Sequence, residues 1–125
     1  MAVGALTQVH VSVTDIDRAV AFYRDTLGIP LLFEVPGQQM AFLASGPVRL
    51  YLGRAERPEL ATRCMLYFAV DDIDAEHARL VAAGVRAAGE PHPVHRSGTT
   101  ALWMSFFTDP DGHHVVLTQE RADPG

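Results

Sequence analysis

Residues 13–17, Val-Thr-Asp-Ile-Asp, return 57 positions later as Val70-Asp71-Asp72-Ile73-Asp74. In a chain of 125 residues that spacing marks two copies of one module, since two copies are too few for a solenoid. An apolar, strand-like run precedes each copy: Gln8-Val9-His10-Val11-Ser12 before the first, Met65-Leu66-Tyr67-Phe68-Ala69 before the second. A run of helical period follows each and stops at a glycine, Gly28 or Gly84. The first run is one residue longer than the second, which places a one-residue insertion inside the helix.

The local chemistry fixes the elements. Asp15 stands at an N-cap, where a carboxylate accepts free N–H groups of the first turn, and Asp17 adds negative charge at the positive helix end. Ile16, Val20, Tyr23 and Leu27 recur at helical spacing, so the helices are expected over 16–27 and 73–83. Strands are expected over 6–13, 31–35, 39–44 and 48–52 in the first copy. In the second they are expected over 64–70, 85–88 (weak), 99–107 and 113–119. Asp109-Pro110-Asp111-Gly112 is turn chemistry between the last two strands. Residues 89–98, rich in Gly, Pro and His, read as an exposed loop, and the tail after Arg121 as frayed. The expected fold is therefore α+β: two βαβββ modules whose cupped mixed sheets surround a cavity. They form one domain over 1–125, with module 1 at about 5–53, a charged linker at 54–63 and module 2 at about 64–119.

Composition excludes several functions. The net charge is −5 with no basic run, which argues against nucleic acid as a partner. Cys64 is the single cysteine, so no intrachain disulfide can form. No apolar run reaches membrane-spanning length and no signal peptide is evident, so a cytoplasmic location is expected. Gly-rich phosphate loops and Gly-x-Ser-x-Gly elbows are absent from the sequence. The acidic clusters at 15–17 and 71–74 read as helix caps rather than catalytic pairs.

One helix covers only one face of a four-stranded sheet, so each module leaves a face to meet something else. Alternation puts Gln8, His10 and Ser12 on that face of the first strand. It adds Arg49 and Tyr51 from the fourth strand, Met65, Tyr67 and Ala69 from the fifth, and His114, Val116 and Thr118 from the last. Both faces of the 99–107 strand are apolar, which leaves its phase open between Met104 with Phe106 and Trp103.

This order of elements resembles the vicinal oxygen chelate superfamily, which includes glyoxalases, extradiol dioxygenases and bleomycin resistance proteins. The resemblance is carried by the two Val-x-Asp-Ile-Asp helix openings, by Phe22-Tyr23-Arg24-Asp25-Thr26-Leu27-Gly28, and by Phe107-Thr108-Asp109-Pro110-Asp111-Gly112. It spans roughly residues 5–119. It implies a divalent metal held by one side chain from each of the first, fourth, fifth and last strands. The matching positions here are Gln8, Arg49, Met65 and Val116. Valine cannot ligate, arginine repels a cation, and a thioether is too soft for a hard ion. By that resemblance the family's metal site is lost, and no cofactor is expected. A metal relocated onto His10 and His114 is the disfavoured alternative.

The expected site is thus a walled cavity for a small organic molecule, with ligand-binding candidates Gln8, His10, Arg49, Tyr51, Met65, Tyr67, Trp103, Met104, Phe106 and His114. Aromatic and thioether walls suit a planar ligand. Arg49, if it points inward, asks for an anionic partner that the ligand can supply; the alternative is a partner in Glu34 or solvent at the rim. Two functions follow: a binder that sequesters its ligand, and an enzyme of the same superfamily using His10 with Tyr67 or Tyr51 as acid and base. A homodimer is expected in either case. His77 reads as an ordinary helix residue, His92 and His95 as solvated loop residues, and Cys64 as an inert thiol.

Overall fold

The computed structural model describes residues 2–55, 57–61 and 63–123. It divides into two compact units, Met1–Arg63 and Cys64–Gly125.

In the first unit the valine strand is β1 (Gln8–Ser12), followed by α1 (Ile16–Val20), β2 (Leu31–Val35), β3 (Met40–Ser45) and β4 (Val48–Gly53). The sheet order is β1-β4-β3-β2, with β1 parallel to β4 and the other pairs antiparallel. Asp15 caps α1 as its sequence position requires, accepting the Arg18 N–H at 3.1 Å. The helix lays Ala19, Val20 and Tyr23 on a sheet face of Val11, Ala41, Leu43, Leu50 and Leu52, all buried.

The helix expected over 16–27 is present, but its second half, Ala21–Thr26, is wound as a π-helix. The repeat supplies the reason. Thirteen positions separate Asp15 from Gly28, and twelve separate Asp72 from Gly84. Both glycines close their helices at positive φ, 82° and 86°. The closing bond runs from Ile29 N–H to the Tyr23 carbonyl in the first unit and from Val85 N–H to the Leu80 carbonyl in the second. The same closure therefore spans one more residue in the first unit. The wider turn, with Leu27 N–H bonded to the Phe22 carbonyl at 2.9 Å, absorbs it without moving either end.

The second unit runs β5 (Met65–Ala69), α2 (Ile73–Ala82), β6 (Arg86–Ala87), β7 (His92–Ser97), β8 (Thr100–Thr108) and β9 (His114–Ala122). The sheet order is β5-β9-β8-β6, with β7 also on β8 and β5 parallel to β9. Asp72 caps α2 through the Ala75 N–H at 3.1 Å. Ile73, His77 and Leu80 face Ala101, Ser105, Phe107, Val115 and Leu117 in the core.

Two expectations are corrected here. The 89–98 segment is not a loop: six of its ten residues, His92–Ser97, form β7, paired with β8 from Thr100 to Met104. The two-residue β6 covers only Phe107 and Thr108, so the rest of the long β8 edge would otherwise keep unpaired N–H and C=O groups. The ladder breaks at a bulge between Pro93 and His95, where a proline without an N–H is tolerated. Nor is the chain frayed at Ala122 and Asp123, the described residues after Arg121; Pro124 and Gly125 lie outside the described residues. β9 runs to Ala122, the Asp123 N–H bonds to the Thr99 carbonyl, and the Asp123 carboxylate pairs with Arg96 at 2.6 Å. Among the described residues no helix is long and apolar enough to cross a membrane.

Candidate functional site

The face of the first sheet turned away from α1 carries one ring from each strand. His10 pairs in register with Tyr51, Tyr51 with Phe42, and Phe42 with Phe33. Strand neighbours lie about 4.8 Å apart in a sheet, so side chains in register on one face stack if they are flat. These do: ring centroids are 4.7 Å apart for His10–Tyr51, 4.8 Å for Tyr51–Phe42 and 4.7 Å for Phe42–Phe33. The last two pairs are close to parallel, at 12° and 25°, and His10 tilts by 60°. Sequence reasoning found His10 and Tyr51 but missed Phe42 and Phe33. The signal is their place on alternating strands, Phe33 in β2 and Phe42 in β3.

Gly53 sets the lean of Tyr51. A Cβ at position 53 would lie 2.7 Å from Tyr51 Cε1 and 3.1 Å from its hydroxyl, so the ring occupies the space that a side chain there would take. Tyr51 thereby leans toward the end of β4, where the chain enters the charged connection. There His10, Tyr51, Arg54, Ala55 and Leu60 line a pocket of about 250 Å³. Arg54, Ala55 and Leu60 were assigned to a mere linker by sequence. The linker instead forms a short 3₁₀ turn, Pro58–Leu60, opened by proline at its first position.

Arg49 lies on the same open face, exposed, with its Nε donating to Gln8 Oε1 at 3.1 Å. The expected alternative of a pair with Glu34 is not formed. Glu34 acts electrostatically on Arg24 instead, whose guanidinium is held above its ordinary value chiefly by its hydrogen bond to Asp25.

In the second unit, register puts Met65 beside His114, Tyr67 beside Val116, and Phe106 beside Val116 from the other side. Met104 and Phe106 therefore share a face with Met65, Tyr67 and His114. Trp103 is one step out of phase. It stands on the opposite face with Gln119, and the Arg121 guanidinium lies 4.8 Å from its ring centroid. That resolves the open phase and removes Trp103 from the group. His92, expected in a solvated loop, is on β7 opposite Met104, with its ring stacked on Phe106 at 5.8 Å. Met65 and Tyr67 are half exposed. Of the two expected acid–base partners of His10, Tyr67 belongs to the other sheet, and Tyr51 is the ring against His10.

The register also corrects one implied metal position. Val116 stands opposite Tyr67 as Tyr51 stands opposite His10, so the repeat equivalent of Val116 in the first unit is Tyr51, not Arg49. The set then reads Gln8, Tyr51, Met65 and Val116. It remains unfit for a divalent ion. Val116 is fully buried hydrocarbon, the Gln8 amide oxygen is taken by a guanidinium, and the Met65 thioether is too soft for a hard ion. Among the described residues no cluster of three His, Cys, Asp or Glu side chains is placed to hold a metal.

Two other histidines are structural. His77, expected to be an ordinary helix residue, is buried, with Nδ1 2.6 Å from Ser105 Oγ and its ring against Phe107 at 5.1 Å. His113 is buried in the turn before β9, where its Nδ1 accepts the Cys64 N–H at 3.1 Å and its own N–H donates to Asp109. Cys64 Sγ is 3.5 Å from the same nitrogen. Burial, and secondarily the Asp109 carboxylate, push the thiol up from its ordinary value. A protonated thiol is a poor nucleophile, which fits the inert role expected for it.

Comparison with known proteins agrees with this geometry. Residues 5–117 match the model of the Glyoxalase/Bleomycin resistance protein/Dioxygenase superfamily, and the chain belongs to that family. It is 30% identical over 121 residues to a probable lactoylglutathione lyase of Vibrio cholerae, covering 87% of this chain and 86% of that protein. Among solved structures it is similar to TnmS3, an antibiotic binding protein from Streptomyces sp. CB03234. That match has a TM-score of 0.75 and 28% identity, covering 100% of this chain and 99% of that one. It shares its fold with a lactoylglutathione lyase from Agrobacterium tumefaciens, with a TM-score of 0.75 at 22% identity over 94% of each chain.

Proposed function

We propose that the protein is a small-molecule binder that sequesters a planar organic ligand on the aromatic face of the first sheet, without a metal. The observation that carries this reading is the ring ladder His10–Tyr51–Phe42–Phe33, open on a helix-free face beside a pocket. Stacked neighbours shield one another's faces, so the ladder presents mainly ring rims, which carry the positive part of the aromatic quadrupole. Such a rim favours the electron-rich face of another ring. The likeness to an antibiotic binding protein supports the reading, and the unfit donor set weighs against a metal-dependent lyase.

A thermal-shift screen of planar aromatic compounds, run in parallel with EDTA and with Zn²⁺, Ni²⁺, Mn²⁺ or Mg²⁺, tests it. Ligands that raise Tm in EDTA as strongly as with metal are expected, and mass spectrometry should recover them unchanged. Stabilisation that needs a metal, or conversion of the ligand, would place the chain among the enzymes of its superfamily.

The second proposal is a homodimer. Phe33, Met65 and Tyr67 are 52%, 50% and 53% exposed, large apolar areas for an unpartnered chain. Light scattering at micromolar concentration should give about twice the 13.6 kDa chain mass; the chain mass itself would reject the dimer.

A further inference from the structure

We infer that the pocket beside His10 and Tyr51 takes the anionic head of an aromatic acid, with Arg54 as its counter-charge and the ladder under its ring. This deepens the proposed function and rests on it.

Three donors converge on the pocket. Among the described residues, Arg54 makes one polar contact, 3.5 Å from Nη2 to the Thr14 carbonyl, at the outer limit of a hydrogen bond. Neither the Tyr51 hydroxyl nor the His10 imidazole has a hydrogen-bond partner among the described residues; their contacts are the ring contacts of the ladder. No carboxylate is among the lining residues His10, Tyr51, Arg54, Ala55 and Leu60. Guanidinium, phenol and imidazole can each donate to an oxygen anion, and a charge-assisted hydrogen bond is about twice as strong as a neutral one.

Size narrows the ligand further. Drug-sized molecules occupy pockets of roughly 300–1,000 Å³. The 250 Å³ here holds a head group with part of a ring, flanked by Ala55 and Leu60. The remaining ring area of such a ligand falls on Tyr51 and Phe42, directly adjacent in register. Arg49, the cation that sequence favoured, is already engaged by Gln8, whereas Arg54 is not so engaged.

The test compares 2-naphthoate with 2-naphthamide, an uncharged analogue of the same shape, by calorimetric titration of the full chain at neutral pH. Naphthoate should bind about tenfold more tightly or better, a gap of about 1.4 kcal/mol. Arg54→Gln should bring the two affinities together by weakening naphthoate alone. Arg24→Gln removes the same charge from the Asp25 ion pair, away from the pocket, and should keep the preference. Matching circular dichroism and Tm establish that the variants are folded. Equal affinities in the wild type, or a preference that survives Arg54→Gln, would overturn the anionic-head assignment while leaving the aromatic binder standing. Failure of both compounds to bind would overturn the anionic-head assignment and the aromatic binder together.

Discussion

Gly53→Ala should destabilise the protein and weaken any ligand held on the ladder, and the same substitution should become stabilising once Tyr51 is removed. The backbone is not the obstacle, because Gly53 is an ordinary strand residue and is not among the glycines with positive φ. The obstacle is the Tyr51 ring, whose Cε1 would stand 2.7 Å from the new Cβ. Forced overpacking costs typically about 1–3 kcal/mol. Here the ring yields by turning away from position 53 and so from its stack on His10 and Phe42, and stacked pairs contribute about 0.5–1.5 kcal/mol each. In a Tyr51→Ala background the clash is gone. What remains is the lower entropy cost of fixing alanine rather than glycine in a strand, worth roughly 0.5–1 kcal/mol in the opposite direction. Urea denaturation of the four proteins in the cycle measures the sign change, and calorimetry with a ladder ligand should show at least a fewfold loss for Gly53→Ala alone. A destabilisation of equal size in both backgrounds would mean that Tyr51 does not lean on position 53.

How far the sequence reached depends on which physical rule governs each part. The repeat, both caps, the strand faces and the Gly28 and Gly84 stops were legible because each follows from a local rule of period or backbone conformation. The π segment was visible only as an extra residue between two matched ends; nothing in Ala21–Thr26 itself announces a wider turn. β7 was hidden because Pro93 and the neighbouring glycines speak for a loop, while the demand for a strand comes from the unpaired edge of β8, which is tertiary. The phase of β8 was undecidable by alternation because Trp103, Met104 and Phe106 are all apolar, and only pairing with β9 separates them. Within the candidate site, His10 and Tyr51 were legible as alternating polar or aromatic residues on valine- and leucine-backed strands. Arg54, Ala55 and Leu60 were not, since their approach to Tyr51 depends on how the chain leaves β4. The Tyr51–Val116 equivalence likewise needed the register, because His10 to Tyr51 spans 41 positions and Tyr67 to Val116 spans 49, so the repeat offset of the first strands does not carry over to the last.

The repeat also makes a prediction about stability. In the first helix the position five residues after the cap is Val20, buried against the sheet; in the second it is His77, equally buried. The second unit has therefore placed a polar ring where its sister has hydrocarbon, and has answered it with Ser105, which has no exposed surface. Their 2.6 Å hydrogen bond satisfies both groups. The contact between His77 Nε2 and Glu90 at 3.5 Å adds little, since Glu90 is almost wholly exposed to water. Ser105→Ala should cost about 1–3 kcal/mol, the price of leaving the imidazole nitrogen unpaired in the core. His77→Val alone should cost a similar amount, because it strands the serine hydroxyl on β8. Both changes together restore the arrangement of the first unit, an apolar helix residue over an apolar strand position, and replacing both partners of a buried hydrogen bond is nearly neutral. The double variant should thus recover most of the loss, with a coupling of roughly 2–3 kcal/mol between the two sites. Chemical denaturation of the two single variants and the double variant measures it. A double variant as unstable as the sum of the singles would show that the His77 ring is needed for its packing against Phe107 rather than for its bond to Ser105.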